Sequence, residues 1–147
     1  MENGKSKLVV KRSKSGLGMF AASDIAKNTL LIEYTGKLCS YEDANAKGRY
    51  LFGITSRLLV DGSTRKNKAR YINHSCRPNC EPRIKNKRVF VYAVKNIKAG
   101  EELNYNYGKE YFNMFIKPAG CKCAYCLNKP KKKYFKNLSH FQLVLQI

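Results

Sequence analysis

The sequence predicts a mostly β fold with short helices, and three observations carry that expectation. Apolar residues come in short runs closed by turn residues, as at Leu8-Val9-Val10 and Thr29 to Tyr34. The run Val89 to Val94 is apolar or aromatic throughout, as in a fully buried strand. Helix signals are few and brief. A chain of 147 residues suits one domain, and one of that size buries roughly two-thirds of its unfolded surface.

In order, Leu8-Val9-Val10 reads as an edge strand, and Ser15-Gly16-Leu17-Gly18 as a turn leading into the apolar Met19 to Ala22. Lys27-Asn28 is a turn before the β-rich Thr29 to Tyr34. Ser40-Tyr41-Glu42-Asp43 resembles a helix start, with an acid three residues after the cap, and that helix would end near Gly48. Tyr50 to Ile54 and Leu58 to Val60 form a strand pair. Val89 to Val94 is predicted to be buried on both faces, Lys98 to Glu101 is a turn, and Leu103 to Tyr107 is a strand. Lys109 to Phe115 makes a helical turn or two before Pro118 and Gly120 break the chain. A basic run from Lys129 to Lys133 precedes an apolar, alternating end from Phe141 to Ile147.

No apolar run approaches the roughly 20 residues a membrane helix needs, and the polar start, Met1 to Lys7, precedes no signal-peptide core. The expected setting is intracellular and reducing: the cytoplasm of a microbe, or nucleus and chromatin if the source is viral or eukaryotic. There, clustered cysteines point to metal more than to disulfides, and the sequons at Asn73 and Asn137 carry no glycan meaning. Charge is the strongest compositional signal, with 29 Lys and Arg against 10 Asp and Glu, a net of +19. Such a field attracts polyanions, including DNA, RNA and nucleosomes; the alternative is a solvated basic surface.

Four motifs carry chemistry. Gly16-Leu17-Gly18 lets backbone approach a ligand, since glycine has no Cβ; a tight turn would use the same residues. Asn73-His74-Ser75-Cys76, with Pro78-Asn79 after it, packs donors and acceptors into a short span, in a chain with only 2 histidines; a capped polar loop is the plainer reading. Cys121, Cys123 and Cys126 suit one tetrahedral zinc, with Cys76 the best candidate for the fourth ligand. A redox pair within Cys123 to Cys126 lacks the expected βαβ setting. Tyr105 and Tyr107 share a strand face and could line a pocket or a core rim. There is no phosphate-binding loop, nucleophile elbow or acid/base carboxylate pair.

In this order, the motifs resemble the SET-domain protein-lysine methyltransferases, in a minimal microbial or viral-like form with a post-SET cysteine cluster. The matching segments are Ser15 to Ala21, Ile32 to Gly36, Val60-Asp61-Gly62, Ala69 to Cys80, Gly100 to Tyr107 and the three C-terminal cysteines. The resemblance implies small twisted sheets around a C-terminal pseudoknot, where the Asn73–His74 and Leu103–Tyr107 segments would meet. It implies a SET domain over 7–108, a post-SET zinc segment over 109–128, and a tail over 129–147. It implies that S-adenosylmethionine rests on Gly16, Leu17 and Gly18, with Tyr50 near its polar end and Asn73 and His74 holding its amino-acid and adenine parts. Tyr107 matches the catalytic tyrosine, and Tyr105 the position that tunes how many methyls are added. Cys76, Cys121, Cys123 and Cys126 match the zinc ligands. Two departures stand out: two residues rather than four separate Cys123 from Cys126, and the tyrosine pair encloses Asn106 rather than Asp.

The expected activity is methyl transfer to protein lysines, mainly mono- or dimethylation, with a histone or another nucleic-acid-associated protein as partner. A +19 surface repels a lysine-rich tail. Either a groove is locally acidic, through Glu33 or Glu81, or the basic faces hold nucleic acid beside the substrate; the second is preferred. The rival from another class is a small zinc-containing nucleic-acid-binding protein, which leaves the Asn73–His74 and tyrosine motifs unused. Oligomeric state is left open.

Overall fold

The computed structural model describes residues 7–43 and 48–130. The tail from 131 onward, and part of the helix expected between Ser40 and Gly48, lie outside the described residues.

Strands β1 (Leu8–Ser13) and β2 (Gly16–Ala21) form an antiparallel hairpin closing on the Ser13–Gly16 pair. The turn is Lys14-Ser15, held by the Ser15 N–H donating to Ser13 Oγ at 3.1 Å. Gly16 and Gly18 therefore lie in the strand after the turn and not in the turn itself. β3 (Leu30–Tyr34) belongs to one three-stranded sheet. β4 (Lys37–Ser40), β5 (Leu51–Gly53) and β6 (Leu58–Asp61) make another, with β6 central. Ser40 closes β4 opposite Leu58, and residues 41–43 form a turn where a helix was expected. The Ser40 hydroxyl accepts the Asp43 N–H at 3.1 Å and donates to Asp43 Oδ2 at 2.8 Å. The serine–acid signal is thus used to turn the chain out of a strand.

A 3-10 turn at Lys68–Tyr71 leads into the short β7 (Asn73–His74). β8 (Cys80–Lys85) and β9 (Arg88–Ala93) form a hairpin across Asn86 and Lys87, both at positive φ, as a two-residue turn that matches strand twist requires. β9 lies between β3 and β8. Its Val89, Val91 and Ala93 are fully buried, but Phe90 and Tyr92 are only half-buried. The expectation of burial on both faces is corrected: among the described residues no second layer covers that side, and the Arg88 and Arg83 guanidinium groups lie over Phe90 and Tyr92 at 5.0 and 4.5 Å. The same arginines occupy Glu33 and Glu81, so neither acid supplies an acidic groove.

β10 (Asn104–Tyr105) pairs parallel with β7, so a C-terminal segment meets an earlier loop across the intervening hairpin. This is the crossing expected around Asn73–His74. The strand is shorter than Leu103 to Tyr107, because Asn106 Oδ1 accepts the Gly108 N–H at 2.9 Å and bends the chain away. Any Asp at that position could accept the same bond. Ile72, Ile97, Leu103, Val89 and Val91 are fully buried and tie the crossing to the β9 face. Buried Asn67 is satisfied on both sides, donating to Gly62 O and accepting from Thr35 N–H.

After the crossing, α1 (Lys109–Tyr111) runs into a π-helical turn, Phe112–Ile116, and a 3-10 turn, Lys117–Ala119. α2 (Ala124–Leu127) is a single turn. None of these four segments contains a buried residue. Among the described residues no helix is long and apolar enough to cross a membrane.

Candidate functional site

A cleft of about 630 Å³ opens beside the β7–β10 crossing, within the size range of small-molecule sites. One wall is the start of β2 and the loop before it, through Leu17 and Ser15; another is Tyr50 with Arg70; the floor holds Asn73, His74 and Tyr107. Tyr111 and Phe115, one helical turn apart, and Cys121 to Cys123 close the remaining side. Of the expected cofactor residues, Leu17, Tyr50, Asn73 and His74 line the cleft, while Gly16 and Gly18 do not line it themselves. Gly16 has φ of +109°, a conformation that favours glycine. Gly18 also faces the Glu102 side chain: a Cβ there would fall 2.4 Å from Glu102 Oε1.

Asn73 is anchored by its amide. Nδ2 lies 2.8 Å from Glu102 Oε1, 3.0 Å from Leu17 O and 3.2 Å from Ser13 Oγ. His74 Nδ1 accepts the Tyr107 N–H at 3.2 Å, so the neutral ring carries its proton on Nε2, 3.4 Å from Cys76 Sγ. Burial lowers the His74 pKa and favours that neutral form.

The two tyrosines come together as expected, with ring centroids 4.9 Å apart. Tyr107 donates its hydroxyl proton to Ile72 O at 2.6 Å and meets Tyr111 edge-on at 4.9 Å. Tyr105 is buried behind Tyr107 and does not line the open cleft. Burial, reinforced by the neighbouring phenols, holds both hydroxyls well above the usual tyrosine range. The Tyr105, Tyr107, Tyr111 and Phe115 rings form a continuous ladder, the last step being 4.7 Å. Sequence reasoning missed Tyr111 and Phe115, although their four-residue spacing on a helical segment places them on one face. It also missed Arg70, whose guanidinium stacks 3.9 Å over Tyr50 and donates to Ser63 O. Arg70 Nε is buried with no hydrogen-bond partner among the described residues.

Cys76, Cys121, Cys123 and Cys126 bring their sulfurs within 4.8 Å of one another. Four thiolates at about 2.3 Å from a tetrahedral zinc stand about 3.8 Å apart. Cys76 to Cys121 is 3.9 Å and Cys76 to Cys126 is 3.5 Å, so the donor set and its spacing fit zinc. The short Cys123–Cys126 interval is explained by α2: Cys123 Sγ caps it by accepting the Cys126 N–H at 3.5 Å. Without metal the thiols diverge. Burial pushes Cys76 up to about 12; at Cys123 burial is outweighed by backbone N–H bonds from Cys76 and Cys126, and the pKa falls to about 6. Arg77 and Lys129 lie over the Tyr125 ring beside the cluster, at 4.2 and 4.5 Å. Cys39 is half-buried and Cys80 fully buried, both apart from the cluster.

The SET domain family model matches residues 16–108. Histone-lysine N-methyltransferase trr of Drosophila melanogaster is 40% identical over 111 residues, covering 65% of this chain and 4% of that protein. Histone-lysine N-methyltransferase MEDEA of Arabidopsis thaliana is 34% identical over 125 residues, covering 76% of this chain and 18% of its own length. A solved ctPRC2 in an autoinhibited conformation bound to S-adenosylmethionine is 37% identical with a TM-score of 0.63, covering 71% of this chain and 15% of that one. An active polycomb repressive complex 2 in the basal state gives 38% and 0.65, covering 73% and 16%. This chain therefore spans a small part of each of these relatives. With the crossing, the paired tyrosines and the four-cysteine cluster in the positions the motifs indicated, and with the family model spanning 16–108, the chain belongs to the SET-domain family.

Proposed function

We propose that the chain is a protein-lysine N-methyltransferase that uses S-adenosylmethionine, adds one or two methyl groups, and acts on a histone or another nucleic-acid-associated protein. The observation that carries this reading is Tyr107, fixed by Ile72 O at 2.6 Å on the floor of a cleft that Asn73 and His74 also line. The named activities of the relatives and the cofactor in the solved neighbour support it. In this reading 7–108 is the catalytic unit and 109–128 a metal-held lid.

The cleft's residues fit the cofactor. Arg70 offers a buried Nε donor for a carboxylate, Tyr50 and Phe115 offer ring faces for a purine, and Asn73 and the Leu17 backbone offer polar contacts. When bound there, S-adenosylmethionine supplies an electrophilic methyl on a sulfonium. This chain's residues must then deliver a neutral amine, since free lysine has a pKa of about 10.4. The Tyr107 and Tyr111 rings, with Tyr105 packed behind Tyr107, make apolar surroundings that disfavour the ammonium by desolvation, so no dedicated base is required. Tyr107 commits its proton to Ile72 and keeps oxygen lone pairs for weak C–H contacts. Alignment of this kind contributes about 7–11 kcal/mol in well-oriented systems. Cys76, Cys121, Cys123 and Cys126 would hold zinc, and in that role they would tie the lid to the segment just after β7. The +19 charge favours a nucleosome or a nucleic-acid-bound protein as partner, with affinity that falls steeply with salt.

The test is transfer of radiolabelled methyl from S-adenosylmethionine to histones, nucleosomes and a cell lysate, with modified lysines mapped by mass spectrometry. Label on lysine is expected. Absence of transfer to all three, with folded zinc-loaded protein, refutes the reading.

A further inference from the structure

Among the described residues the cleft is lined by Arg49, Arg65, Arg70 and Lys122 and by no Asp or Glu. S-adenosylmethionine carries a sulfonium and an ammonium against one carboxylate, so these four cations by themselves disfavour it. Glu102 reaches this wall from behind. Glu102 Oε1 accepts from Asn73 Nδ2 at 2.8 Å and fills the space beside Gly18 where a Cβ would stand. The Glu102 backbone is fixed separately, its carbonyl accepting from Asn79 Nδ2 at 2.9 Å and from Asn104 Nδ2 at 3.2 Å. Glu102 is half-buried and forms no ion pair among the described residues, in a chain with 29 Lys and Arg. A carboxylate kept from so many cations, and spent on an amide, marks a charge held for a ligand. The amide itself is oriented by it: both Asn73 Nδ2 hydrogens are taken by Glu102, Leu17 O and Ser13 Oγ, which leaves Oδ1 as the atom offered to the cleft.

We infer that Glu102 is a positioning residue that turns the Asn73 acceptor toward the cleft and supplies the negative charge by which the cleft favours the sulfonium cofactor over its thioether product. This rests on the methyl-transfer reading. The product, S-adenosylhomocysteine, has the same carboxylate and ammonium but lacks the sulfonium charge. Removing the Glu102 charge must therefore cost the cofactor more than the product, whereas a purely structural role would weaken both alike.

The experiment is calorimetric titration of the zinc-loaded full chain with each ligand, for the unmodified protein, Glu102→Gln, Glu102→Asp, Glu102→Ala and Gly18→Ala, with a thermal melt of each. Glu102→Gln can still accept from Asn73 but has no charge. It is expected to weaken S-adenosylmethionine about tenfold and S-adenosylhomocysteine less than about threefold. Glu102→Asp keeps the charge and is expected to keep the cofactor-to-product ratio near that of the unmodified protein. Gly18→Ala moves the carboxylate but keeps its charge and should keep the ratio. Glu102→Ala removes the charge and should shift the ratio as Glu102→Gln does; it carries the test if Glu102→Gln does not fold. Equal weakening of both ligands, or none, overturns the assignment of Glu102 and leaves the methyl-transfer reading standing. If the unmodified protein binds neither ligand, both fall.

Discussion

Asn79 and Asn104 bond each other reciprocally: Asn79 Oδ1 accepts the Asn104 N–H at 2.9 Å, and Asn104 Oδ1 accepts the Asn79 N–H at 3.2 Å. Each side chain stands in for a strand partner where the chain crosses itself, next to the two-residue β7–β10 pairing. So short a ladder needs this support, because two residue pairs cannot satisfy the backbone around the crossing. Asn79→Ala removes the acceptor for Asn104 N–H and the donor to Glu102 O. Glu102 O keeps its bond from Asn104 Nδ2, so the Asn104 N–H is the group left unpaired, at a cost of about 1–3 kcal/mol. A loss of about 1–3 kcal/mol is expected by urea unfolding, with Asn79→Asp intermediate because it keeps the acceptor. A change below about 0.5 kcal/mol would show that the crossing is held elsewhere.

Much of this arrangement was legible in the sequence, and the parts that were not share a cause. The strands β5, β6 and β9 follow from apolar runs, and the Cys76 cluster from cysteine spacing. Ser40 to Asp43 misled because the serine–acid pair that caps a helix also closes a turn, and pairing with Leu58 decided between them. Gly18 has a neighbour that the sequence did not suggest, the Glu102 side chain, 84 positions away in the chain (102 − 18). Glu102, Asn79 and Arg70 act through partners distant in sequence, and no local pattern reports such contacts.

The tyrosine pair separates rate from product. Tyr107→Phe loses the oxygen held against Ile72 and should lower turnover about 100-fold, the scale of removing one positioned polar group. Cofactor affinity should change little, since calorimetry reads a step before the phenol is needed. Tyr105→Phe removes a hydroxyl behind Tyr107 and should raise the trimethylated fraction by mass spectrometry. An unchanged product distribution would remove Tyr105 from control of methyl number, and full activity in Tyr107→Phe would remove Tyr107 from the chemistry.

Three phenols, Tyr34 and Tyr105 buried and Tyr107 partly buried, set an alkaline limit on stability. Burial first, then neighbouring phenols, hold Tyr34, Tyr105 and Tyr107 above the ordinary tyrosine range in the folded chain. In the unfolded chain they ionise near pH 10 (about 10 for free tyrosine). The raised folded pKa means the unfolded state loses its protons first, so this stability is complete below about pH 10 and declines as pH rises beyond it. The urea midpoint is therefore expected to be flat from pH 8 to about 9.5 and to fall above it. Tyr34→Phe, which gives up the bond to Tyr50 O at 2.8 Å, should be less stable at pH 8 but show a shallower alkaline decline. A decline as steep as in the unmodified protein would assign the effect to other groups.

The metal cluster should govern the lid and leave the sheets largely intact. α1, the π-helical turn, the 3-10 turn and α2 contain no buried residue, so between Lys109 and Leu127 burial is confined to Cys123. What fixes this stretch is the four-sulfur cluster at one end and the aromatic ladder from Tyr107 to Phe115 at the other. Metal analysis is expected to find one zinc per chain. Chelation, or Cys126→Ser, should leave the β-sheet signal in circular dichroism intact while trypsin gains access at Lys122. Because Cys121 to Cys123 form one side of the cleft, cofactor affinity should fall in the same samples, and restoring zinc should recover it only in the unsubstituted chain. Global unfolding on chelation would mean instead that the cluster sustains the β7–β10 crossing itself, through the contact of Cys76 with His74.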